Sequence, residues 1–177
     1  ALLLRGAGTL ALASLGALAE RRLRTLAAYL VVCSAATLFI AFALATPGTI
    51  AAGLYYLVHS TFAGAALFLL ADLIRRRRGN ASDRKDLVSQ LPNRTMPAIL
   101  FLVVAVSLAG LPPLSGFIGK LLLLEATPDG SLAWVWWLVL GSSFLMLVGL
   151  ARAGTRLFWR VEPWPDAPPG ALAAYQA

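Results

Sequence analysis

Apolar residues fall into five long runs, at about 1–19, 25–45, 49–74, 97–125 and 132–151, with short polar stretches between them. A helix needs about 20 mainly apolar residues to cross a bilayer, so each run can span. Helices are expected, because an open strand in lipid leaves backbone groups without partners. The fourth run is long and is interrupted by Leu111-Pro112-Pro113-Leu114-Ser115-Gly116-Phe117-Ile118-Gly119-Lys120. The Pro112-Pro113 pair lacks two backbone donors and breaks the helix just before Gly116. The pattern predicts an all-α, polytopic transmembrane bundle of about five spans, one of them broken. Residues 1–160 form that membrane domain. The stretch 161–177, with Pro163, Pro165, Pro168 and Pro169, is read as an irregular tail or the start of a further element.

Composition agrees. The chain is 59% hydrophobic and 13% charged, with a mean hydropathy of +0.78. Soluble domains carry about 25% charged residues. The net charge of +7 could suggest a nucleic-acid partner, but the basic residues sit in the short connections between apolar runs. The connection 20–24 holds Arg21, Arg22 and Arg24. The connection 75–96 holds Arg75, Arg76, Arg77, Arg78, Arg84, Lys85 and Arg94, and Arg152, Arg156 and Arg160 follow the last run. The alternate connections, Thr46-Pro47-Gly48 and Thr127-Pro128-Asp129-Gly130, have no base. Five spans therefore put 13 of the 15 basic residues on one side, leaving only Arg5 and Lys120. An excess of this kind marks the cytoplasmic face of a membrane protein. Trp134, Trp136 and Trp137 follow the second base-free connection, where an interfacial aromatic anchor belongs. Arg21, Arg22 and Arg24 follow the first apolar run rather than preceding it, so this run is read as a span and not a signal peptide. The chain starts at Ala1 within that run and is expected to be a piece of something longer.

Two ionisable residues lie within the runs. Lys120 is flanked by the apolar stretch 98–108 and by Leu121 to Leu124. Intramembrane charge is costly and is a functional candidate by default. The competing reading is a lysine that snorkels to the interface, about one turn from Leu124. Beside a helix break, which is tolerated only where it is buried or lines a wet cavity, the lysine reads as part of an ion path. His59 is the eleventh residue of the third run and falls near the bilayer midplane. It is either hydrogen-bonded neutrally to a neighbouring helix or able to exchange protons near neutral pH. The presence of Lys120 in the same bundle favours a relay.

The secondary candidates are weaker. Arg24 is either a positive-inside anchor or a point of proton uptake on the cytoplasmic side. Asp72 reads as an interfacial acid paired with the arginines after it. Glu125 either pairs with Lys120 or marks the interface. Ser60, Thr61 and Ser107 either hold water between His59 and Lys120 or hydrogen-bond between helices. Gly6, Gly8 and Gly16, and Gly64 with Ala63, suggest close helix packing. Cys33 reads as a small buried hydrophobe. The sequence has no phosphate loop, nucleophile triad, metal-ligand cluster or cofactor motif, and no cofactor is expected.

The segment from Leu111 to Lys120, the run Tyr55-Tyr56-Leu57-Val58-His59-Ser60-Thr61 and the run Ala27-Ala28-Tyr29-Leu30 resemble the antiporter-like membrane subunits. That family includes the proton-pumping subunits of respiratory complex I and the large subunits of multisubunit cation/proton antiporters of the Mrp or Pha type. The continuation Ala65-Ala66-Leu67-Phe68-Leu69-Leu70-Ala71-Asp72-Leu73-Ile74 is most similar to the D subunit of the antiporters. The resemblance implies about fourteen helices in two inverted five-helix repeats, each with one broken helix and an ion path at midplane. This chain would be the second repeat. It implies that Lys120 is a terminal proton-path residue and His59 a central relay. It also implies a bacterial inner-membrane subunit that exchanges Na⁺ or K⁺ for protons, with other subunits as partners and no enzymatic chemistry of its own. A proton-pumping subunit of complex I is the alternative. Two positions depart from the family. Arg24 stands where lysine is usual, and Ala63 stands where some members have lysine.

Overall fold

The computed structural model describes residues 1–77, 95–128 and 133–159. These residues form six helices: α1 (Leu2–Ala19), α2 (Leu23–Leu44), α3 (Pro47–Arg77), α4 (Thr95–Ala109), α5 (Ser115–Glu125) and α6 (Ala133–Gly154). A π-helical turn at Thr155–Trp159 continues α6. Among the described residues, α1, α2, α3 and α6 with its continuation are long and apolar enough to cross a membrane. The remaining expected span, 97–125, is realised as two shorter helices, α4 and α5, joined by an irregular segment. The all-α bundle with one broken helix is therefore present. The basic stretch from Arg78 to Arg94, Asp129 and Gly130, Arg160 and the tail 161–177 lie outside the described residues.

Helix ends follow local chemistry. Ala45, at φ 55, closes α2. Two residues later Pro47 opens α3, where its missing N–H is not needed. Thr46 and Thr49 cap that start reciprocally. The Thr49 N–H donates to Thr46 Oγ1, and the Thr46 N–H donates to Thr49 Oγ1, both at 3.1 Å. The last helix runs past the expected end at residue 151, because Ala153, Leu157 and Phe158 stay buried while Arg152 is exposed.

The helices close into a ring of neighbours. α1 packs on α2 and α6, α2 on α3, α3 on α4 and α5, and α4 on α6. The shared core draws Leu10, Leu26, Ile40, Leu67, Phe101 and Leu150 from five helices. Small residues set the approach at three of the four glycines expected to do so, among them Gly64, where a Cβ would meet Val31 at 3.1 Å. A Cβ on Gly6 would meet Ile40 at 3.2 Å, and one on Gly16 would meet the Tyr29 ring at 2.5 Å. Gly8 points to open space instead.

The break in the fourth span starts earlier than the prolines. The chain leaves α4 at Gly110, whose φ of +77° is open to glycine and strained for other residues. The Leu111 N–H donates to Val106 O at 3.1 Å and the Gly110 N–H to Ser107 O at 3.2 Å. These two bonds form a Schellman stop. Pro112 and Pro113 then keep the helix from resuming until Ser115, past a Leu114 cap.

The glycines on α1 yield a test. Gly16→Ala should lower the thermal unfolding midpoint of the protein in detergent by several degrees, because overpacking costs about 1–3 kcal/mol. Gly8→Ala should leave it within a degree or so of wild type. Equal effects of the two substitutions would contradict the α1–α2 packing.

Candidate functional site

Lys120 lies on α5, five residues after its start, and is 7% exposed. Its ammonium does not reach for the interface. It turns back across the break and donates to Leu108 O at 3.3 Å, Ala109 O at 3.0 Å and Ser143 Oγ at 2.9 Å. An ammonium has three donors, and three acceptors are present. The carbonyls belong to the last turn of α4. The final four carbonyls of any helix lack partners within it. In α4, Val106 O accepts from Gly110 and Leu111, Ser107 O accepts from Gly110, and Leu108 O and Ala109 O accept from Lys120. Every carbonyl freed by the break is thus satisfied, as a membrane interior requires.

His59, on α3, meets the opposite lip of the break. Its Nδ1 shares a hydrogen bond of 2.9 Å with Ser115 Oγ, the first residue of α5. The Tyr56 ring stands 5.8 Å from the imidazole. The Tyr56 hydroxyl donates to Ser34 Oγ on α2 at 3.5 Å. His59 is half-buried and faces a cleft of about 540 Å³, lined with apolar residues apart from Tyr55, His59, Ser107 and Ser115. Two glycines make room for these side chains. A Cβ on Gly116 would land on the Ser107 carbonyl and come within 2.8 Å of His59 Nε2. A Cβ on Gly110 would lie 2.9 Å from Lys120 Cδ.

The secondary candidates divide. Ser107 lines the same cleft as His59. Ser60 and Thr61 turn their hydroxyl protons to their own helix, both donating to Leu57 O, at 3.1 Å and 2.8 Å. Glu125 is exposed at the end of α5, and the three donors of Lys120 all go elsewhere. Asp72 accepts from Arg76 at 2.6 Å, one turn on, and from Arg24 of α2 at 3.2 Å. That pair lies thirteen residues beyond His59 on α3, about 20 Å along the axis. Arg24 therefore belongs to the charged end of the bundle and not to the His59–Lys120 region.

Sequence reasoning misses two contact residues. Ser115 sits inside the quoted motif, next to the prolines, and its helix-starting position is the available signal. Ser143 lies in Gly141-Ser142-Ser143-Phe144 on α6, and no local pattern marks it as a partner of Lys120. Cys33 is buried, as expected. Among the described residues no three His, Cys, Asp or Glu side chains gather as metal ligands would.

Residues 1–146 match the profile of a family described as NADH:quinone oxidoreductase/Mrp antiporter, TM. The D subunit of the Na(+)/H(+) antiporter of Bacillus subtilis (strain 168) is 32% identical over 150 residues, covering 84% of this chain and 30% of the relative. The D subunit of a probable K(+)/H(+) antiporter of Rhizobium meliloti (strain 1021) is 31% identical over 180 residues, covering 85% of this chain and 33% of the relative. A solved chain from the Mrp complex of Dietzia sp. DQ12-45-1b superposes with a TM-score of 0.82 at 31% identity, covering 93% of this chain and 30% of that one. The chain thus spans about a third of the length of these relatives. With most of its length matched by the family profile, the chain belongs to the NADH:quinone oxidoreductase/Mrp antiporter transmembrane family.

Proposed function

We propose that this chain forms the proton-handling part of a membrane subunit that exchanges Na⁺ or K⁺ for protons within a multisubunit antiporter. Residues 1–160 make up its transmembrane domain, corresponding to the second inverted repeat. The observation that carries this reading is the buried Lys120 ammonium, seated on the carbonyls of a broken helix with His59 at the other lip. A charge held this way serves to receive and pass an ion rather than to anchor the chain. Lys120 acts as a terminal proton-path residue and His59 as a central relay. Ser107 and Ser115 line the cleft at His59. The similarity to the D subunits of two antiporters supports the exchange of a monovalent cation for protons.

The subunit moves ions and transforms no substrate. It sits in a bacterial inner membrane with the basic ends 20–24, 75–96 and 152–160 in the cytoplasm. The Arg24–Asp72–Arg76 group then marks the cytoplasmic end of the bundle. The family description also names NADH:quinone oxidoreductase, so a redox-driven pump built on the same relay is the second reading.

Both readings are tested in inverted vesicles energised by respiration and containing the assembled complex. Na⁺ or K⁺ should trigger proton release from wild-type vesicles. Lys120→Ala should abolish that release while the complex still assembles. Exchange at the wild-type rate in this variant would remove Lys120 from the path. No cation response, together with loss of respiration-driven pumping in the variant, would favour the redox-driven pump. His59→Ala should reduce exchange less than Lys120→Ala, with a loss that varies with pH, as expected of a side chain that accepts and releases protons. A pH profile identical to wild type would count against a relay at His59.

A further inference from the structure

Of the three partners of Lys120, two can only accept a hydrogen bond and one can also donate. An ammonium uses all three acceptors: Leu108 O, Ala109 O and Ser143 Oγ. Once its proton has left for water on the path, the neutral amine keeps two N–H donors and gains a lone pair. Two carbonyls suit the two donors. The lone pair needs a donor, and neither carbonyl can supply one.

The Ser143 hydroxyl can. Its proton now goes to Val139 O, one turn earlier on α6, at 2.7 Å. The same carbonyl also accepts from Ser142 Oγ at 3.0 Å. If the Ser143 hydroxyl turns away, Val139 O keeps the Ser142 bond. Ser142 is buried and Ser143 partly buried, so the exchange takes place away from bulk water.

We propose that Ser143 is a positioning residue that holds Lys120 in both protonation states, accepting from the ammonium and donating to the amine by rotation of one hydroxyl. No helix has to move between the two states. Ser142 is the spare donor that leaves Ser143 free to turn. The inference rests on the relay reading of Lys120 and adds a residue to it. Among the described residues, the titratable side chains around this site are Cys33 of α2 and Tyr55, Tyr56 and His59 of α3, and α4 contributes none.

The test uses the assembled antiporter in inverted vesicles, with cation-triggered proton flux measured across a range of pH. Assembly is checked by co-purification of the subunits. Ser143→Ala should slow exchange about tenfold, the effect of losing one hydrogen bond to a buried charged group, and should displace the pH profile. Ser143→Thr should restore both rate and profile. Ser143→Val has the shape of threonine without its hydroxyl and should behave like Ser143→Ala. The Thr and Val pair decides the question if the alanine variant fails to assemble. Wild-type rate and profile in Ser143→Val would overturn the proposal, and so would equal impairment of the Thr and Val variants. Lys120→Ala is run in parallel. If exchange survives that change, the relay reading itself fails. If Lys120→Ala is inactive while Ser143→Val is normal, only the role of Ser143 falls.

Discussion

A positive charge inside a membrane needs fixed negative partial charge close to it, and here the broken end of α4 supplies it. The last turn of a helix carries the equivalent of about half a negative charge on carbonyls that no helical N–H can reach. In an unbroken helix Leu108 O and Ala109 O would be used by the following turn. Ending α4 at Gly110 frees them, and Lys120 occupies them. The dependence runs both ways. Without the lysine, two carbonyls would lie unpaired in a place where each unpaired group costs several kcal/mol. Without the break, the lysine would have no acceptors from α4.

The same break fixes His59 relative to Lys120. α5 starts at Ser115, which bonds His59, and carries Lys120 five residues on. At the rise of an α-helix those two points are about 7.5 Å apart along α5. The small residues keep this spacing. Gly116 lets the first turn of α5 lie against the Ser107 carbonyl and the imidazole, and Gly110 leaves space for the lysine stem. The loop from Gly110 to Leu114 thus works as a fixed joint, with a cation at one lip and a histidine at the other.

Much of this is legible in the sequence, for reasons of composition and counting. Apolar length gives the spans directly, and a proline pair inside a span announces a break. Lys120 and His59 stand out because each is an ionisable residue in an apolar run. Helix rotation is not legible. Whether Ser60 and Thr61 face a path or their own carbonyls depends on which side of α3 they occupy, and the apolar run around them has no clear face. The contact between Ser143 and Lys120 joins two helices that no pattern in either sequence pairs. The pairing of Asp72 with Arg24 links α3 to α2 across 48 positions, whereas its bond to Arg76 is the local i,i+4 pair that the sequence suggests. The break starts two residues before the position that the prolines suggest, because a glycine with a Schellman stop is a weaker signal than two prolines.

The two kinds of basic residue in this bundle are used in opposite ways. Arginine presents a planar fork that stays charged under all ordinary conditions. Arg24 and Arg76 accordingly meet a permanent partner, Asp72, at an end of the bundle where water screens both. Lysine is a compact point charge with three donors that can give up a proton. Lys120 is placed where, among the described residues, no carboxylate holds it, between two carbonyls and a hydroxyl. A carboxylate partner would favour the charged form strongly and resist its release. Neutral acceptors satisfy the charge without trapping it. An arginine at position 120 would bring five donors to three acceptors and a proton it could not release, so the geometry of the broken helix fits lysine for a reason beyond charge.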